Sequence, residues 1–93
     1  METATSSKTF HLGRLVVTPQ AAEVLHRRDV YVGLLRHACG DWGEVCAADA
    51  AENELSMTEG FRLRSAYTGR NGVEFWVITE WDRSVTTVSL AEY

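Results

Sequence analysis

A histidine, a carboxylate and an arginine suffice for metal-independent cleavage of a phosphodiester: one group gives a proton, one takes it, and the cation steadies the developing charge. His37, Glu80 and Arg83 are the residues of this chain that fit those roles. They are chosen by chemical type, and the fold must bring His37 to the other two across almost half the sequence.

Two short segments hold most of the other groups able to recognise something. In GDWGEV, residues 40–45, Trp42 stands between Asp41 and Gly43 with Glu44 beyond. A turn with its tryptophan over the core is the simple reading; an exposed tryptophan flanked by acids, the side chain most enriched at binding hot spots, is the sharper one. In TEWDRSVTT, residues 79–87, a turn carries Glu80, Trp81, Asp82, Arg83 and Ser84, and an arginine on a rigid turn can act as an anion fork. The acids Asp41 and Glu44 together with residues 80–84 form the expected functional rim, with Trp42 mainly as a lid.

Metal and cofactor chemistry is not expected. Cys39 and Cys46 have six residues between them and His37 is the nearest other soft ligand, which is no zinc-site spacing. No glycine-rich phosphate loop is visible, and the chain of 93 residues has room for a single modest core.

The net charge of −4 argues against a polyanionic partner, so nucleic acid is not the expected ligand. Acids are concentrated in the middle: Asp41, Glu44, Asp49, Glu52, Glu54 and Glu59 occupy a stretch without Lys or Arg. That stretch reads either as a solvated helix face or as a surface for a basic protein partner. Residues 1–9 are polar, with no apolar run of signal-peptide or membrane-spanning length, so a cytoplasmic location and reduced thiols are expected.

The elements that must position these groups follow from pattern. Residues 1–9 read as a flexible tail and 10–93 as one α+β domain. A short strand near residue 15 ends at Thr18-Pro19, where Thr18 caps a first helix running to about Arg28. Asp29 reads as the cap of a second helix, with Val30, Tyr31, Leu34, Leu35 and Ala38 as its buried stripe, His37 on the flank and Gly40 as the stop. A third helix covers 47–57.

From Gly60 the period becomes two. Strands at 61–68, 73–81 and 85–90 are joined by Asn71-Gly72 and by the WDRS turn into an antiparallel meander. The expected architecture is a three- to four-stranded antiparallel sheet with two or three helices on one face. Arg62 and Arg64 should point away from the helices. Val85, Thr87 and Ser89 read as an edge strand through which a homodimer could form.

The segments GDWGE, ENELSM, GFRLRSAY, WVITEWDRSVTT and the terminal EY resemble a family of small bacterial plasmid-related, mobile-element proteins of unknown function. The resemblance covers nearly all of the chain after residue 10. It implies a mobile-element setting and supplies no catalytic residues; the family pattern has a small residue where this chain has Trp81. Two function classes follow. One is a small acidic binding protein that inhibits or regulates a host or element protein; the other is a ribonuclease-type toxin using His37, Glu80 and Arg83, with a nucleic-acid-binding regulator behind both.

Overall fold

The computed structural model describes residues 10–92. The expected 1–9 tail and Tyr93 lie outside that range. Strand β1 (Arg14–Val17) is followed by helices α1 (Pro19–Val24), α2 (Arg27–Ala38) and α3 (Ala47–Glu59), then by strands β2 (Leu63–Thr68), β3 (Glu74–Thr79) and β4 (Val85–Leu90). This is an α+β domain.

The four strands lie in the order β1-β4-β3-β2. The β2–β3–β4 meander is antiparallel, but β1 runs parallel to β4, so the sheet is mixed rather than antiparallel throughout. The reason is connectivity: three helices intervene between β1 and the meander, and a long crossover lets β1 join with the same direction as its neighbour. This also corrects the edge expected at Val85, Thr87 and Ser89. β4 is paired with β1 over Val85–Val88 and with β3 over Thr86–Leu90, so Val85 and Thr87 lie beside β1 rather than along an open edge.

Strand alternation sets the core. Leu63, Tyr67, Phe75, Val77 and Val88 are buried on the face that the helices cover, with Ala21 and Leu25 packed on them from above. Arg64, Trp76, Ile78 and Thr87 share the opposite face through the same register, so Arg64 does point away from the core. Arg62 is exposed just ahead of β2.

The helices break elsewhere than expected. Thr18 does cap α1, its hydroxyl accepting from the Ala21 N–H. That helix stops at Val24, however, and His26 rather than Asp29 caps α2, its Nδ1 accepting from the Arg28 N–H. Asp29 is instead drawn to the β2–β3 turn, where its carboxylate receives the Arg70 backbone N–H and guanidinium.

The face that α2 buries is also rotated from the expected stripe. Its fully buried positions are Gly33 and His37, while Tyr31 and Leu35 are 62% and 50% exposed. Gly33 explains this. A Cβ there would come within 2.9 Å of the Phe75 ring and 3.3 Å of Tyr67, so only glycine lets the helix sit this close to the sheet. The line of closest approach then runs through Gly33 and His37, turning two large apolar residues outward.

The outer edge of β2 is closed by side chain and loop. The Asn53 amide of α3 donates to the Arg64 carbonyl (2.7 Å) and accepts from the Arg64 N–H (3.1 Å), as a neighbouring strand would. Two residues on, Ala66 N–H donates to the Trp42 carbonyl and the Glu44 N–H donates to the Ala66 carbonyl. Among the described residues no helix is long and apolar enough to cross a membrane.

Candidate functional site

The two segments singled out by their chemistry lie at one end of the domain, joined by a residue the sequence did not flag. Phe10 stacks on Trp42 with ring centroids 6.2 Å apart and meets His37 edge-on at 5.2 Å, while the Arg83 guanidinium sits 5.8 Å over its ring. Nothing in the local pattern marks Phe10; its role depends on the tertiary approach of three distant segments.

Trp42 is 6% exposed. Its indole N–H donates to Glu54 of α3 at 2.9 Å, and its ring lies against His37. It closes the core rather than presenting itself to a partner. Asp41 and Glu44 remain at the surface but are engaged: Asp41 holds Arg36 and the Gly43 N–H, and Glu44 accepts from the Thr68 hydroxyl. The Arg36 guanidinium keeps the Asp41 carboxyl below its usual range. With Asp49 paired to Arg64 and Glu54 holding Trp42, four of the six acids in the middle stretch serve internal contacts. Glu52 and Glu59 are exposed.

His37 is fully buried, and both ring nitrogens are bonded. Nδ1 lies 2.5 Å from the Ser65 hydroxyl and Nε2 2.9 Å from that of Thr79. The protons in this network can be placed by following it outward. Thr86 donates its only proton to the Leu12 carbonyl, so Thr79 must donate to Thr86, 2.7 Å away. Thr79 can then only accept from His37, which fixes the proton on Nε2 and leaves Nδ1 to accept from Ser65. The neutral ring satisfies every member, and burial, aided by the nearby Arg83 charge, pulls its pKa down to about 4.

Arg83 is the second constrained residue. It is the non-glycine residue with positive φ (61°) among those described, and its side chain folds back on the backbone. Nη1 donates to the carbonyls of Phe61 (2.7 Å), Glu80 and Trp81 (both 3.2 Å), and Nη2 to that of Ser56 (2.9 Å). Asp82 completes the turn by accepting from the Ser84 N–H and hydroxyl, which lower its pKa. Arg83 is thus a staple that ties the β3–β4 turn to the α3–β2 junction, and its bonds to carbonyls replace the anion fork expected of it.

These placements separate the expected residues into two groups. His37 and Arg83 meet the same Phe10 ring, yet one is sealed and satisfied and the other is bonded to carbonyls, so the acid, base and phosphate roles are not assembled around an accessible point. Arg64 stacks on Trp76 at 4.6 Å and pairs with Asp49 at 2.7 Å, which answers its charge with the acidic stretch. Trp81, by contrast, is 66% exposed on the stapled turn, and Phe61, whose carbonyl shares Arg83 Nη1 with that of Trp81, is 52% exposed.

No group of three or more His, Cys, Asp or Glu able to hold a metal ion exists among the described residues. Cys39 and Cys46 are free thiols at the surface. Comparison of the chain with protein-family models, with curated proteins and with solved structures gives no match in any of the three.

Proposed function

We propose that the chain is a small binding protein whose docking surface is the aromatic end formed by Trp81 on the stapled 80–84 turn and Phe61 on the α3–β2 junction to which that turn is tied. The observation that carries this reading is the left-handed Arg83, whose guanidinium fixes the backbone on which an outward-facing tryptophan stands. Backbone strain at a non-glycine residue costs on the order of 1 kcal/mol and is held only where the surroundings over-determine it. Here the guanidinium bonds hold the backbone that carries Trp81, so the position of the anchor's Cα is set before any partner arrives. Pre-set anchors of this kind lower the entropy cost of association, and tryptophan and arginine are the side chains most often dominant in interfaces.

Glu80, Asp82 and Ser84 give this anchor a polar rim. The resemblance to plasmid-related proteins supplies the setting: a host or element protein that binding inhibits or regulates. The ribonuclease reading has less support, because His37 is sealed and Arg83 is bonded to carbonyls. Imitation of nucleic-acid charge by the acidic stretch is weakened in the same way, since most of its carboxylates are taken.

A photo-crosslinking amino acid placed at Trp81, and separately at Glu52 as a control, tests the proposal in expressing cells. One adduct formed from position 81, displaced by excess untagged protein and lost in Phe61→Ala, is the expected result. Equal adducts from both positions, or none from 81, would count against it. RNA decay on induction that vanishes in His37→Gln would move the reading to the ribonuclease.

A further inference from the structure

The surface exposed by the rotation of α2 lies apart from the Trp81 turn and carries its own chemistry. Tyr31, Val32 and Leu35 are 62%, 44% and 50% exposed and adjacent on the helix. At the N-terminal end of this ridge His26, Arg27, Arg28, Tyr31 and Val32 line a hollow of about 580 Å³. A smaller cleft of about 130 Å³ shares Arg28 and Val32 with it and continues between α2 and the sheet toward Arg36 and Arg70.

The charge of this surface opposes that of the chain. Four arginines, Arg27, Arg28, Arg36 and Arg70, stand against three acids, Asp29, Asp41 and Glu44, on a molecule whose net charge is −4. Arg36 and Arg70 are held by those aspartates at 2.8 and 3.1 Å. Arg27 and Arg28 have no ion pair among the described residues, and they occupy the first turn of α2, where the helix dipole disfavours cations. Carboxylates brought by a partner would answer both charges and suit that end of the helix.

We propose that the outer face of α2 is a second docking surface, and that its occupant is an acidic amphipathic helix of another protein. Apolar side chains of that helix pack along Tyr31, Val32 and Leu35, and its acids reach Arg27 and Arg28. The twelve residues of α2 span roughly 18 Å, enough for about three turns of a partner. An apolar ridge of this kind favours a protein helix over a nucleic acid, which would use stacking platforms and a continuous cationic track. With the Trp81 turn engaged separately, one chain would hold two partners at once.

The test is selection from a displayed library of helix-forming 16-residue peptides against the full chain, followed by fluorescence anisotropy of synthesised winners. Expected are winners with net negative charge and apolar residues at helical spacing. Their affinity should fall roughly 10-fold or more in Tyr31→Ala and in Leu35→Lys, and about 100-fold in Arg27→Glu/Arg28→Glu, with little change in Trp81→Ala. Winners that are neutral or basic, or insensitive to the arginine reversal, overturn the acidic helix. An empty selection does the same. Concentration-dependent self-association abolished by the same variants would make the occupant a second copy, and equal binding of single-stranded RNA would make it a nucleic acid; either overturns the proposal. Winners that lose affinity in Trp81→Ala and not in Tyr31→Ala would place binding at the turn alone, leaving the first reading intact.

Discussion

Lowering the pH from 7 to 5 should remove about 2 kcal/mol of folding stability through His37 alone. The folded imidazole has its pKa pulled to about 4, whereas the unfolded chain titrates near the usual 6.5. Between those values the unfolded state binds a proton that the folded state refuses. Stability is therefore fully present above about pH 6.5 and is lost as the pH falls toward 4. Each pH unit within that window is worth at most about 1.4 kcal/mol, so the whole window amounts to about 3 kcal/mol and the part above pH 5 to about 2. For a small domain with total stability of roughly 5–15 kcal/mol that is a large fraction. Asp29, Asp41 and Asp82 act lower: their folded pKa values are depressed, so their contributions are present above the ordinary aspartate range and fade only as the pH falls through the folded values. Urea denaturation followed by tryptophan fluorescence at pH 7, 6 and 5, for the native chain and for His37→Gln, isolates the histidine. The native chain should lose stability across this range while the variant, weaker at pH 7, stays nearly level. Equal slopes in the two proteins, or no slope in the native one, would refute the assignment of a sealed, neutral His37.

Gly33→Ala places a methyl 2.9 Å from the Phe75 ring and should cost about 1–3 kcal/mol by forcing α2 off the sheet, read as a lowered melting temperature. Asn53→Ala leaves the Arg64 N–H and carbonyl without their partners and should cost about 1–3 kcal/mol in urea denaturation; Asn53→Asp, which sets a carboxylate oxygen against the Arg64 carbonyl, should cost at least as much. Trp81→Ala should change stability by no more than about 0.5 kcal/mol, whereas Arg83→Ala should be clearly destabilising and should free the 80–84 turn, seen as faster amide exchange at Trp81 and Ser84.

The strand half of the fold was legible because its signals are local. Alternation from Phe61 onward and Asn-Gly between apolar runs mark the meander, and Thr18-Pro19 marks the start of α1. The direction of β1 was not legible, since no short-range feature tells a parallel from an antiparallel neighbour across three helices. The buried face of α2 is not legible from periodicity because large apolar residues outweigh a glycine in any such count, while the decisive contact is the one that only a missing side chain allows. At the candidate site, sequence marked Trp42 and the 80–84 turn but could not find Phe10 between them. It also placed Arg83 by its charge, when a carbonyl-rich surround makes the same guanidinium a backbone tie.

The Asn53 amide stands beside β2 where a further strand would pair. Whatever briefly lifts α3 from the sheet also uncovers the polar edge of β2, converting a closed flank into a template for intermolecular pairing. Exchange of the Arg64 amide proton therefore reports the opening of α3, an element in which that proton does not lie. The resistance of this domain to aggregation would then depend on how tightly α3 is latched, by Asn53 together with the contacts of Asp49, Glu54 and Ser56, and only indirectly on the strength of the sheet.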